Sequence, residues 1–117
     1  MTIFNTTITN IGAEAEMFQA EKMIILFGEN APESLADYCY NIQLNKASEE
    51  ITTEMTLTIA DTAYRITAVG SVVTKNLNEL GHITIKFDGS TEAELPGTLY
   101  VEAKEMPEIT VGSTITI

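Results

Sequence analysis

His82 is the only histidine of this chain, so any chemistry that needs an imidazole depends on this one side chain. The unperturbed pKa of histidine, about 6.5, leaves a neutral ring nitrogen available near pH 7 as a nucleophile or a base. A covalent phosphoryl carrier would use that property. A lone histidine in a small domain is more often a surface or hydrogen-bonded structural residue, so the surrounding sequence must decide between the two roles.

The segment around His82 predicts a β-strand over residues 81–88. Strand alternation directs one set of side chains into the core, namely Ile83, Ile85 and Phe87. It directs the other set toward solvent, namely His82, Thr84, Lys86 and Asp88. From a strand rise of about 3.3 Å per residue, Thr84 would lie about 7 Å from His82 and Lys86 about twice as far.

This arrangement suits a phosphohistidine carrier with His82 as the acceptor and Gly81, Thr84 and Lys86 as the neighbourhood of the phosphoryl group. Gly81 has no side chain, so a phosphoryl group or a partner's backbone could come close. Amide N–H groups and hydroxyls would receive the charged oxygens. The alternative is that His82 only opens an exposed strand face, and the spacing alone leaves both interpretations open.

Other kinds of site have less support in the sequence. A Ser-His-Asp hydrolase would need a serine such as Ser71 to meet His82, but there is no Gly-x-Ser-x-Gly elbow. Cys39 follows Asp37, whose charge would raise the thiol pKa, so a buried structural thiol is favoured over a nucleophile. One histidine and one cysteine give no zinc-type ligand set, and neither a metal nor a cofactor is predicted.

Composition limits the partners. Seventeen acidic against six basic residues give a net charge of -11, which repels nucleic acid and anionic membranes. The same charge would speed the encounter with a basic protein, or it only keeps the chain soluble.

A length of 117 residues predicts one domain, residues 1–117. The lone Cys39, the absence of a secretory pattern and the absence of a membrane-length apolar run favour a cytoplasmic location.

Short runs rich in β-branched residues, broken by Gly, Pro, Asn and Asp, predict about eight strands. They cover residues 3–11, 22–27, 38–44, 55–59, 64–74, 81–88, 98–103 and 114–117, with helical turns at 31–37 and 75–80. No long amphipathic helix separates the strands, which argues against a doubly wound parallel sheet. We therefore predict an all-β fold, a closed or nearly closed antiparallel barrel or compact sandwich with one or two helical turns.

Three blocks carry a family resemblance: TAVGSV at 67–72, NL at 76–77 and ELGHITIKFDG at 79–89. Shorter matches support them at 6–9 with 11–12, at 31–32 with 38–39, and at 93–94 with 96–98. The chain resembles, over nearly its whole length, the glucitol/sorbitol-specific IIA component of the bacterial phosphoenolpyruvate:sugar phosphotransferase system.

The resemblance implies a cytoplasmic all-β protein that takes a phosphoryl group from the phosphocarrier HPr onto a histidine. It would pass that group to the IIB part of a IIB/IIC membrane transporter, which phosphorylates glucitol on entry. A IIA component does not itself bind the sugar, and nucleic acid is not an expected partner. Homodimer formation stays open, because the sequence does not fix the oligomeric state.

One departure from the family concerns the acceptor itself. Relatives carry a histidine shortly after a Tyr-Cys-aromatic segment, and the phosphoryl group is usually assigned to it. Here that segment, residues 38–44, reads YCYNIQL and contains no histidine. Either His82, inside an intact Glu-Leu-Gly-His motif, is the acceptor, or the chain has lost phosphoryl transfer and is a regulatory or partner-binding domain. The outward orientation predicted for His82 favours the first interpretation.

Overall fold

A computed structural model describes residues 2–117, and its eight strands close into a barrel. The strands are β1 Asn5–Ile11, β2 Met23–Gly28, β3 Tyr40–Ile42, β4 Thr56–Ile59, β5 Thr62–Val69, β6 Ile83–Lys86, β7 Thr98–Val101 and β8 Thr114–Thr116. Around the barrel their order is β1-β3-β2-β6-β7-β5-β4-β8, and β8 pairs with β1. Because closure pairs both edges of every strand, no strand edge is left free in the sheet.

The predicted closed all-β barrel of about eight strands is confirmed, with one correction to strand direction. The pairs β2–β3 and β6–β7 are parallel, whereas the expected barrel was wholly antiparallel. The connections over residues 29–39 and 87–97 are long enough to return the chain to the same end of the barrel, which a tight hairpin cannot do. The consecutive strands β4 and β5 pair antiparallel as a hairpin.

Over residues 2–117, two α-helices and one 3-10 helix accompany the barrel. Helix α1, Glu33–Ala36, confirms the turn predicted after Pro32. Helix α2, Val73–Leu80, contains the predicted turn but begins earlier than expected. The strand predicted over residues 64–74 therefore ends at Val69. Val73 is fully buried, as is Leu77 one helical turn later, so packing against the core overrides the strand preference of a β-branched residue.

The 3-10 helix Ala15–Glu21 was not predicted from the sequence. It contacts β2 and buries Ala15 completely. Ala15 is the only buried residue of this helix. A helix that buries so little needs no regular spacing of apolar residues, so the sequence gives no signal for it.

The barrel interior follows the strand alternation that the sequence predicts. On β6, Ile83 and Ile85 are buried while Thr84 and Lys86 are half-buried on the outer face. On the neighbouring β2, Ile24 and Leu26 point inward in the same way. Over residues 2–117 no helix is long and apolar enough to cross a membrane.

Candidate functional site

His82 lies at the junction between α2 and β6, immediately before the first residue of the strand. Its backbone N–H donates to the carbonyl oxygen of Asn76 at 3.3 Å, and the N–H of Gly81 donates to the carbonyl oxygen of Leu77 at 3.0 Å. These bonds satisfy carbonyls that the end of the helix would otherwise leave free. The helix end therefore fixes the backbone that carries the imidazole.

Gly81 is required at this junction for two reasons. Its φ of 66° lies in the left-handed region, which favours glycine. A Cβ at this position would also lie 2.8 Å from the backbone nitrogen of Gly28 on β2. In the other direction, a Cβ on Gly28 would lie 2.7 Å from the carbonyl oxygen of Leu80. The two glycines thus let the end of α2 lie directly against the end of β2.

The imidazole of His82 stacks on the ring of Phe27, with centroids 4.3 Å apart and planes inclined by 24°. The pairing of β2 with β6 explains this contact. Leu26 pairs with Ile83, so the next antiparallel step brings Phe27 opposite His82 on the outer face of the barrel. Phe27 is buried although it points outward, and His82 is half-buried, because each ring covers the other.

A hydrogen bond fixes the tautomer of His82. Its Nδ1 lies 3.1 Å from the carbonyl oxygen of Leu26. Because a carbonyl oxygen can only accept, Nδ1 carries the proton and donates it. In the neutral ring the free lone pair then lies on Nε2. The stack and this bond together hold a nucleophilic nitrogen in one orientation, which is what attack on phosphorus needs.

The structure places the predicted neighbours of His82 at increasing distance along the strand. Gly81 adjoins His82, and Thr84 is half-buried two residues away on the outer face of β6. Lys86 lies at the other end of β6, about 13 Å from His82 at the usual strand rise. Its Nζ lies 3.8 Å from a carboxylate oxygen of Asp88. Any role of Thr84 and Lys86 near the phosphoryl group stays a prediction.

The sequence did not reveal Leu26 and Phe27 as parts of the site. The apolar run that contains them predicts a buried strand, and neither type of side chain suggests chemistry. Their contribution comes from the pairing of β2 with β6, whose members are separated by more than fifty residues and are not adjacent in any sequence pattern. A pairing prediction between these two segments would have found them.

Cys39 does not form a second reactive site. The thiol is buried, and burial raises its pKa, so it stays protonated near neutral pH. Among residues 2–117, no group of three or more His, Cys, Asp and Glu side chains is placed to hold a metal ion.

Comparison with known proteins points in one direction. A family model described as "PTS system glucitol/sorbitol-specific IIA component" matches residues 3–116. Curated proteins from Shigella flexneri and Escherichia coli (strain K12), each named "PTS system glucitol/sorbitol-specific EIIA component", are 40% identical over 113 residues, which is 97% of this chain and 92% of theirs. This chain belongs to the glucitol/sorbitol-specific IIA component family of the phosphotransferase system.

A solved structure supports the same assignment. "The Crystal Structure of PTS System IIA Component from Enterococcus faecalis V583" superposes on this IIA component with a TM-score of 0.85 at 35% sequence identity. The match covers 96% of this chain and 97% of that one. The barrel is thus shared with another IIA component.

This IIA component also shows where the segment without a histidine lies. Strand β3 runs parallel to β2, and Asn41 pairs with Phe27, so Asn41, Phe27 and His82 lie side by side on three neighbouring strand positions. Asn41 is buried, and its amide donates to the carbonyl oxygen of Gly28 at 3.3 Å and accepts from the amide of Asn10 at 3.0 Å. Within the segment that lacks a histidine, Asn41 therefore lies on the same side of the barrel as His82, whereas Tyr40 and Ile42 are part of the core.

Proposed function

We propose that this chain is a phosphoryl carrier of the phosphotransferase system and that His82 is its phosphoacceptor. The donor is HPr, and the recipient is the IIB component of a glucitol/sorbitol transporter. The observation that supports this most is the hydrogen bond from Nδ1 of His82 to Leu26, because it leaves Nε2 as an oriented nucleophile in a chain with no other histidine. Family membership supplies the class of reaction.

In the loading step, the lone pair of Nε2 forms a bond to the phosphorus carried by the donor histidine. The bond between that phosphorus and the donor nitrogen breaks, and its electron pair stays on the donor. The imidazole keeps its Nδ1 proton and gains positive charge, which the carbonyl oxygen of Leu26 stabilises. Unloading reverses this sequence, with a group on the recipient as the new nucleophile.

Few additional groups are needed, because phosphoryl transfer depends mainly on position and charge. Gly81 is buried against Gly28, so it supports the backbone that carries the imidazole and does not itself open space for the phosphoryl oxygens. Thr84, on the same outer face, offers a hydroxyl to them. Lys86 lies farther away and would act on the phosphoryl group only through its longer-range field. The mechanism calls for neither a metal nor a cofactor.

The same proposal sets the cellular context. The carrier would act in the cytoplasm as the single domain 1–117, between a soluble donor and the cytoplasmic face of a IIB/IIC transporter. It would not contact the sugar. The net charge of -11 favours encounter with a basic donor. Homodimer formation is not required, because the whole of the proposed site lies in one chain.

The function is tested by following labelled phosphate through the complete relay. Phosphoenolpyruvate, enzyme I, HPr and this chain are mixed, and the purified IIB component is then added. The expected result is label on this chain in the first stage and its loss to IIB in the second. A chain that binds HPr but stays unlabelled would instead be a regulatory or partner-binding domain, and the carrier role would be wrong.

A further inference from the structure

Asn41 is a buried amide on the face of the barrel that carries His82. It is 6% exposed, although it occupies an outward-facing position of β3 between the core residues Tyr40 and Ile42. Asparagine is depleted in strands, and a buried amide is destabilising unless it is hydrogen-bonded. An apolar β-branched side chain would avoid both disadvantages. The amide at this position therefore indicates a role for its hydrogen bonds.

Two hydrogen bonds fix the orientation of the Asn41 amide. Its Nδ2 donates to the carbonyl oxygen of Gly28 at 3.3 Å, and its Oδ1 accepts from Nδ2 of Asn10 at 3.0 Å. Because a carbonyl oxygen can only accept, the nitrogen of the amide must face Gly28. The hydroxyl of Thr9 also donates to the main-chain carbonyl of Asn41, at 3.3 Å. Asn41 thus connects β1 to the end of β2 across β3.

Gly28 depends on main-chain contacts for its position, because it has no side chain to pack. Its carbonyl oxygen accepts from the N–H of Ala31 at 3.1 Å as well as from the amide of Asn41. The bond to Ala31 belongs to the turn that follows β2, whereas the bond to Asn41 comes from the neighbouring strand. Loss of the amide would therefore give the end of β2 more freedom.

Gly28 contacts the His82 site in two ways. It directly follows Leu26 and Phe27, whose carbonyl oxygen and ring hold the imidazole. Its backbone nitrogen also lies so close to Gly81 that a Cβ there would come within 2.8 Å of it. A shift of Gly28 would therefore move both the groups that hold the ring and the backbone that carries the ring.

We infer that Asn41 is a positioning residue for His82 and acts through the carbonyl oxygen of Gly28. The inference rests on the proposed carrier function, because attack on phosphorus needs the ring nitrogen in one orientation. Asn41 lies two strands away from His82 and acts on the ring through β2. It holds the strand end from which Leu26 engages the Nδ1 proton, and so keeps Nε2 as the free nitrogen.

The sole histidine makes this effect directly measurable, because ¹⁵N NMR of the imidazole reports His82 alone. At alkaline pH, where the ring is neutral, the two nitrogen shifts show which nitrogen carries the proton. The unphosphorylated wild type is expected to carry it on Nδ1. Asn41→Leu keeps the branched shape of the side chain but cannot donate. It is expected to shift part of the population to the Nε2–H tautomer and to slow loading by HPr about fivefold.

Two further variants separate positioning from stability. Asn41→Thr suits a strand, but its shorter side chain does not reach Gly28, so it should change the ring signals in the same direction as Asn41→Leu. The matched control is Tyr64→Phe, which removes the bond from the Tyr64 hydroxyl to the carbonyl oxygen of Glu105, 2.7 Å away. Tyr64 lies on β5, three strands from β2. This control should lower the thermal midpoint and leave the tautomer and the loading rate unchanged.

Loss of the Nδ1–H tautomer in the folded Asn41 variants, with slower loading and with Tyr64→Phe unaffected, would support the assignment. Wild-type ring signals in a folded Asn41 variant, an unchanged loading rate, or equal changes in Tyr64→Phe would overturn it. The ring signals are recorded without phosphate, so they test the role of Asn41 separately from loading. Failure of the wild type to load would instead contradict the proposed function itself.

Discussion

Nδ1 of His82 and the carbonyl oxygen of Leu26, 3.1 Å apart, join the start of β6 to the adjacent β2. Because this bond engages Nδ1 as a donor, we expect phosphorylation on Nε2. Two-dimensional ¹H–¹⁵N and ³¹P NMR of the loaded protein distinguishes the two phosphohistidine isomers. A stable Nδ1-phosphohistidine would contradict the assigned tautomer, because that nitrogen could not keep its bond to Leu26.

The stack of His82 on Phe27 predicts an effect on rate that is separable from an effect on stability. Phe27→Leu removes the aromatic contact, worth about 0.5–1.5 kcal/mol, and frees the imidazole to rotate. We expect the rate of phosphorylation to fall about tenfold, less than the roughly hundredfold loss that a misplacement of about 1 Å can cause.

Phe87→Leu is the matched control for Phe27→Leu. Phe87 lies just past the far end of β6, about 16 Å from His82 at the usual strand rise, and contacts Tyr64 in the core. The substitution Phe87→Leu should lower the free energy of unfolding, while the rate at which the folded protein is phosphorylated stays unchanged. Equal rate losses in the two variants would show that the stack on Phe27 does not position the imidazole.

The contact between Gly81 and Gly28 predicts a large cost for a single methyl group. Gly81→Ala combines the strain of a positive φ, about 1–2 kcal/mol, with a Cβ 2.8 Å from the backbone nitrogen of Gly28. Gly89→Ala has almost the same φ, 68°, but its Cβ would have contacts no closer than 3.5 Å. We expect urea unfolding to show Gly81→Ala less stable than Gly89→Ala by about 1–3 kcal/mol. Equal losses would mean that the close approach to Gly28 carries no cost.

The buried thiol of Cys39 predicts a decline in stability at alkaline pH. Burial raises its pKa from the ordinary value of 9.0, so above that pH the folded state retains a proton that the unfolded state has lost. The stabilising contribution is complete below pH 9 and is lost as the pH rises through the folded pKa. Urea midpoints measured across this range should fall less steeply for Cys39→Ala than for the wild type.

Tyrosine ionisation is the background to this measurement. Burial also raises the pKa of Tyr40 and Tyr64 from their ordinary value of 10.0. The wild type and Cys39→Ala should therefore both lose further stability at higher pH. If the urea midpoint falls equally steeply with pH for the wild type and Cys39→Ala between pH 9 and 10, the thiol does not contribute to the loss of stability.

Strand alternation was enough to predict much of this molecule. It placed Ile83, Ile85 and Phe87 in the core, because a strand with one buried face must alternate. It also turned His82 away from the interior. It could not foresee that Phe27 would cover the imidazole, because that contact depends on the pairing between β2 and β6, and local sequence does not encode a partner strand.

The parallel pairs and the early start of α2 show a second limit. Val73 and Thr74 are β-branched and favour a strand when taken locally. In the structure Val73 packs into the core from a helix, and the Thr74 hydroxyl accepts a bond from Ile51. Such long-range contacts outweigh local preference, and they also decide whether neighbouring strands run parallel.

The central claim is that His82 alone carries the phosphoryl group, and intact-mass measurement after incubation with phosphoenolpyruvate, enzyme I and HPr tests it most directly. The matched variant is His82→Gln, whose side-chain amide can still donate to the carbonyl of Leu26, and its thermal midpoint should confirm that it is folded. We predict one acid-labile phosphoryl group on the wild type and none on His82→Gln. Phosphorylation of folded His82→Gln, or no mass change in the wild type, would contradict the account.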